Sequence, residues 1–250
     1  MTDKMATSDK VLYGGLLAAA GGFDSYTFLV HGQVFAGLQT GNLILLGTHI
    51  GQMKWSVLIQ HITPILAFML GTILTRVVQH HFKEADSINK RQRLILGVEI
   101  AVLTVIAGIS PYIPDLLASA SVSMIAAAQL QEFRELNGGP FTSLMMTGNV
   151  RTLAESLYDG IFKKNAQALE KAWEILRIII SFTLGAVMTG LCVSLLGERT
   201  IILSAVFLLV RLLCQESGHK STNKFDFQFK LLNLIFGGRS FSPVQILKTL

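Results

Sequence analysis

Apolar residues in this chain are gathered into long runs, and six of these approach or reach the roughly 20 residues a helix needs to cross a bilayer core about 30 Å thick. The runs cover residues 11–30, 57–79, 94–113, 116–133, 172–196 and 200–215, and each is predicted as a transmembrane helix. Two further apolar stretches, 34–51 and 141–158, are interrupted by Gly, Thr, Asn and Gln or by charges. They read as tilted, re-entrant or broken helices, since irregular backbone at membrane depth is tolerated only inside protein or beside a water-filled cavity.

Composition agrees with the pattern. Hydrophobic residues make up 51% of the chain and charged residues 15%, against about 25% charged in an ordinary soluble domain, which argues against folding in water. The N-terminus mixes Asp3 and Asp9 with Lys4 and Lys10 ahead of a run longer than a signal-peptide core. The tract Ala18-Ala19-Ala20-Gly21 imitates a cleavage site, but the first run is expected to stay as a helix. Cys192 and Cys214 fall within predicted spans and read as small apolar residues, not as a disulfide. His80-His81 lack the spacing and acidic company of a metal site and read as interfacial, so no metal and no cofactor are expected.

The net charge of +5 would suggest a nucleic-acid partner in a soluble protein. Here the basic residues sit near helix ends and report orientation instead. Arg76, Lys83, Lys90, Arg91 and Arg93 mark one connection, Lys163-Lys164 another, and Lys220, Lys224, Lys230, Arg239 and Lys248 the tail. Six spans with the N-terminus inside place all three regions on the cytoplasmic side, whereas eight spans would separate the first from the tail. The expected organisation is a cytoplasmic segment 1–10, a transmembrane domain 11–216, and a basic amphipathic tail 217–250 lying on the cytoplasmic leaflet, with both termini inside and the chain multi-pass in a bacterial plasma or inner membrane.

The chain also repeats itself. A shift of 107 positions lays Thr40-Gly41-Asn42 on Thr147-Gly148-Asn149, Leu29 on Leu136, Gly32 on Gly139 and Leu46 on Leu153. A shift of 114 lays Phe68, Leu70, Gly71 and Thr75 on Phe182, Leu184, Gly185 and Thr189. Each half, 11–113 and 116–216, then reads as helix, interrupted segment, helix, helix. With three spans per half the copies lie in opposite orientations, the inverted-repeat plan of many secondary transporters. The fold class predicted is therefore all-α: a polytopic helical bundle of about six transmembrane helices in two inverted three-helix repeats. The Thr-Gly-Asn motif in each supplies a backbone-permissive glycine flanked by short hydrogen-bonding side chains. It reads either as a polar site or as a helix-packing device.

The run Gly22-Phe23-Asp24-Ser25-Tyr26-Thr27-Phe28, then Val34-Phe35-Ala36, then Thr40-Gly41-Asn42 with Leu45-Leu46-Gly47, resembles the signature of the YoaK-like bacterial membrane proteins, a domain-of-unknown-function family. Gln129, Arg134 and Thr147-Gly148 fall where that family also has Gln, Arg and Thr-Gly. The resemblance spans most of residues 15–210, departs at Leu130, where the family tends to have Asn, and leaves the tail 217–250 unexplained. It implies the architecture and assigns no activity.

Among individual residues, Asp24 stands about 20 Å along a first helix that begins near residue 11, where a charge must face a cavity or partner or be protonated. The substrate-binding candidates are Asp24, Thr40, Gly41, Asn42, Gln129, Thr147, Gly148 and Asn149, with Asp24 placed to bind a coupling proton or cation. Glu99 reads either as a helix-entry charge beside Arg93 or Lys90 or as a transport residue, Arg134 as a topology anchor, and Arg151 as an interfacial cation. No Walker A loop, no zinc motif and no catalytic set is evident, and Ser110 is followed by Pro111 at a span end, so no enzymatic role is expected. The expected function is a secondary transporter or carrier of a small solute; a non-transporting scaffold or regulator acting through partners is the alternative.

Overall fold

A computed structural model of the chain describes residues 7–82, 88–136, 139–140 and 146–216. Lys83 of the expected cytoplasmic connection and the tail 217–250 lie outside them, as does most of the N-terminal segment. The described chain is helical: α1 (Thr7–Val30), α2 (Gln39–Gly51), α3 (Leu58–His81), α4 (Ile88–Ile109), α5 (Asp115–Glu132), α6 (Met146–Phe162), α7 (Ala166–Leu196) and α8 (Ile202–Glu216). A two-residue antiparallel ladder, β1 (Glu135–Leu136) with β2 (Gly139–Pro140), follows α5. Each of the eight apolar stretches thus forms a helix.

Among the described residues, three helical runs are long and apolar enough to cross a membrane: Trp55–His81, Ile88–Tyr112 and Ala166–Leu213. The last joins α7 to α8 through a 3-10 turn at Gly197–Ile201, where Gly197 adopts a φ of +55° that a side chain would strain. The outward faces of these runs are apolar, with Leu66, Ile73 and Val77 of α3, Val98 and Val105 of α4, and Leu184 and Leu191 of α7 all exposed. Exposed aliphatic surface of this extent marks contact with a non-aqueous partner, here lipid.

α1 is of a different kind. Leu16, Ala19, Ala20, Phe23 and Tyr26 are fully buried, and the helix is packed by α7, α8 and α5. Its small residues make that possible. A Cβ on Gly21 would strike the carbonyl of Phe182 in α7, and one on Gly185 of α7 would strike the carbonyl of Ala18 in return. The Ala-Ala-Ala-Gly tract that imitates a cleavage site is thus a face for close helix approach, the usual way of bringing helices together in a membrane. α3 and α5 meet in the same manner, with Gly71 set against the backbone of Met124.

Candidate functional site

α1 ends at Val30, and the chain reverses through Gly32 (φ +73°) and Gln33 (φ +56°). It then runs back into the protein as an irregular segment in which Val34 and Ala36 are buried. Backbone amides buried in such a loop need partners, and two side chains supply them. Asp24 Oδ1 accepts the amides of Gly37 at 2.6 Å and Leu38 at 3.2 Å. Asn42 Oδ1 accepts the amide of Phe35 at 2.9 Å, while its Nδ2 donates to Phe35 O at 2.7 Å and to Gln39 Oε1 at 2.9 Å.

The first Thr-Gly-Asn motif is accordingly a clasp for the loop that leads into α2. Leu38, at the start of α2, offers no side-chain cap. Asp24 reaches across from α1 and supplies one, placing negative charge at the positive end of the helix. Gly41 leaves room for the Phe35 ring, which a Cβ there would meet at 2.7 Å, and Phe35 stacks on Phe28 with centroids 5.1 Å apart. Thr40 is exposed.

The other predicted site residues lie elsewhere. Thr147 and Gly148 are exposed on the first turn of α6 and Asn149 is half-buried, with its Nδ2 3.6 Å from Met146 Sδ. α2 packs on α3, and α6 on α7. Gln129 is buried in α5, where its Nε2 donates to Leu16 O of α1 at 2.9 Å. The structure therefore brings Asp24, Gly41 and Asn42 into one unit and sets Gln129 and the second motif apart from it. Arg151 lies on the exposed face of α6, 3.6 Å from Glu155.

Three polar constellations escaped the sequence reading. In the first, His31 sits between Asp115 and a pair of hydroxyls. Its Nδ1 is 2.9 Å from Asp115 Oδ1, and its Nε2 is 2.7 Å from Tyr26 Oη and 3.1 Å from Ser110 Oγ. Tyr26 Oη in turn donates to Glu198 O at 2.8 Å and lies 2.7 Å from Ser110 Oγ. The order Ser110, His31, Asp115 has the connectivity of a nucleophile, base and orienting acid. Ser110 is fully buried, and its hydroxyl is engaged by Tyr26. His31 and Asp115 also line a pocket of about 190 Å³ with Gly32, Val34, Ile59, Gln60, Leu116 and Ser119.

The second constellation holds charge inside the bundle. Glu99 is fully buried in α4, and both its carboxylate oxygens lack hydrogen-bond partners among the described residues. The charged groups acting on it are Arg211 of α8 and Glu132 of α5. The expected pairing of Glu99 with Arg93 or Lys90 at a helix entry is not what forms: Glu99 faces inward, and a different base, Arg91, pairs with Glu132 at 2.9 Å. Gln79 of α3 also donates to Glu132 at 3.1 Å, and the Arg211 guanidinium lies 4.4 Å from the centre of the Phe133 ring.

The third is a histidine pair. His49 Nδ1 and His61 Nε2 are 2.9 Å apart, with the rings stacked at 4.9 Å, and this contact ties α2 to α3. No group of three or more potential metal ligands occurs among the described residues. Most of these contacts had no local signal: partners are up to 172 residues apart in sequence, and single-residue periodicity carries no information on such pairs.

The chain is similar to the UPF0700 transmembrane protein YoaK of Bacillus subtilis, with 25% identity over 184 residues that cover 70% of this chain and 80% of the relative. No solved structure matches it. The family described as a protein of unknown function, DUF1275, matches residues 13–214, a stretch that contains both Thr-Gly-Asn motifs, the Asp24 cap and the buried Glu99. This helical membrane protein belongs to the YoaK-like DUF1275 family.

Proposed function

We propose that the protein is a secondary transporter or carrier of a small solute, built from six spans in two inverted three-helix repeats, with its solute path between the halves. The observation that carries this reading is the pattern of helix packing. Let α1 to α4 exchange with α5 to α8. The contact of α1 with α7 then becomes that of α5 with α3, α2 with α3 becomes α6 with α7, and α1 with α8 becomes α5 with α4; all six are present. Gly71 and Gly185, paired by the sequence repeat, make corresponding approaches to α5 and α1. Such exchange symmetry is the basis on which one half rocks against the other in alternating access.

The break between α1 and α2 supports the same reading, because irregular backbone buried in protein is the form in which transporters interrupt a helix. Asn42 is taken up by Phe35 and Gln39, and Asp24 by the loop amides. The exposed hydroxyls of Thr40 and Thr147 are the motif groups left to meet a solute.

The test has two parts. Single cysteines at 40–42 and 147–149 should label from opposite faces of the membrane. Purified protein in liposomes should take up one or more of a panel of anions, organic acids and neutral metabolites, with and without a proton gradient. Labelling of both motifs from one face would remove the inverted repeat, and absence of any flux or ligand-induced thermal shift would favour a scaffold that acts through partners.

A further inference from the structure

We infer that Glu99, rather than Asp24, is the residue at which this protein takes up and releases a proton. The inference rests on the carrier reading, to which it assigns the coupling ion and the group that holds it.

The two buried acids differ in what their oxygens do. Asp24 is committed to structure: one oxygen accepts two amides at the head of α2, and neutralising it would weaken those bonds, although its carbonyl oxygen could still accept them. Glu99 bears no such duty. It is fully buried, and neither oxygen accepts a hydrogen bond from a described residue. Ionisable groups at depth in a membrane protein are expensive to keep and mark ion pathways or proton relays by default, and a buried carboxylate without hydrogen bonds is the costliest version. Among the described residues, no hydrogen bond explains its retention.

Its surroundings give protonation a mechanical consequence. Arg211 of α8 and Glu132 of α5 act on Glu99 electrostatically, and both helices pack against α4. Glu132 is already held by Arg91 of α4 and Gln79 of α3. The 3-10 turn Gly197–Ile201, which also touches α4, carries Glu198 and Arg199, and Glu198 acts on Tyr26 rather than on Glu99. Deprotonated, Glu99 attracts Arg211 across the contact between α4 and α8. Protonated, it does not. Those helices are the last of each half, so a single proton weakens or restores an attraction between the halves, and a ligand shifts a conformational equilibrium only through such a difference between states. The proton arrives from water on one side and leaves to water on the other; no bond to the protein other than the carboxyl O–H is made or broken.

The proton itself is the probe. Infrared difference spectra of the purified protein, recorded across a pH step, should contain a buried-carboxyl C=O band that is lost in Glu99→Gln and retained in Asp24→Asn. A band unchanged in Glu99→Gln overturns the inference. Should that variant fail to fold, wild-type protein labelled with [13C]glutamate answers the same question: the band should shift with the label and survive Glu132→Gln, and a band that ignores the label overturns the assignment. In proteoliposomes offered acetate, lactate or inorganic phosphate under a pH gradient, Glu99→Gln should lose the dependence of uptake on the gradient. Gradient-driven uptake by that variant overturns the inference and leaves the carrier reading intact. Wild-type protein that moves none of these probes, but shows the band and loses it in Glu99→Gln, keeps the proton site and overturns the carrier.

Discussion

The Asp24 carboxylate lies 2.6 Å from the amide of Gly37, so the first helix of the protein provides the cap that the second lacks at its own start. Asp24→Ala leaves the Gly37 and Leu38 amides buried without an acceptor, at about 1–3 kcal/mol for a lost buried partner. Asp24→Asn retains a carbonyl oxygen and should lose less. Thermal unfolding in detergent should rank wild type above Asn and Asn above Ala; an Ala variant as stable as wild type would remove the capping role.

Close packing at two glycines gives a sharper contrast. Gly71→Val and Gly185→Val each drive a side chain into a backbone on the facing helix, and overpacking of this kind costs about 1–3 kcal/mol or more. Gly190 of α7 has open space where its Cβ would stand. Gly190→Ala should therefore be neutral or stabilising, by up to about 1 kcal/mol from helix propensity. Chemical unfolding of the three variants checks this, and equal losses at 185 and 190 would contradict the packing.

The Arg91–Glu132 pair is asymmetric in burial, with the Glu132 side chain at 0% exposure and that of Arg91 at 15%. Arg91→Met strands the buried carboxylate and should cost about 3–5 kcal/mol, whereas replacing both with apolar residues should recover much of that loss. A double-mutant cycle reads the difference. Additive losses would mean that the pair does not act as a unit.

Around His31, exposure decides which contact matters. Asp115 is 55% exposed in its side chain, so water can replace it, and Asp115→Asn should change stability by less than about 1 kcal/mol. Tyr26 is fully buried and bonded to the carbonyl of Glu198. Tyr26→Phe leaves that carbonyl and the neighbouring Ser110 and His31 short of a partner, at about 1–3 kcal/mol. A larger loss at Asp115 than at Tyr26 would reverse this picture.

These contacts also show where sequence reasoning reaches its limit. The runs 57–79 and 172–196 became α3 and α7 with small changes at their ends, because continuous apolar sequence of that length has one common solution in lipid. The segment 34–51 reads as interrupted from its Gly, Thr, Asn and Gln content, but the irregular backbone lies before Gln39, and Thr40, Gly41 and Asn42 stand in the first turn of α2. Hydropathy does not distinguish a helix that faces lipid from one that faces protein. α1 and α3 read alike, yet α1 is enclosed and α3 carries the outward leucines. The signal was present in the Ala and Gly content of α1. Asp24 drew attention because a charge interrupts an apolar run, but its partner is a backbone loop, which no side-chain pattern announces. For Glu99 the local charges Arg93 and Lys90, six and nine residues away, offer a helix-entry pairing beside a transport role, because local charges are the only ones visible in sequence. Arg211, on a different helix, is a product of the fold.

The reciprocal contact of Ala18 with Gly185 has a consequence for how the chain is made. α1 has its main partners in α7 and α8, which are made after it. At roughly 5–20 residues per second, α1 waits on the order of ten seconds for the surface that covers it. During that interval its alanine and glycine face lies open to lipid, to other helices and to membrane chaperones. Assembly of α1 thus waits for the synthesis of α7 and α8, and any truncation before α7 leaves the helix that carries Asp24 without its cover.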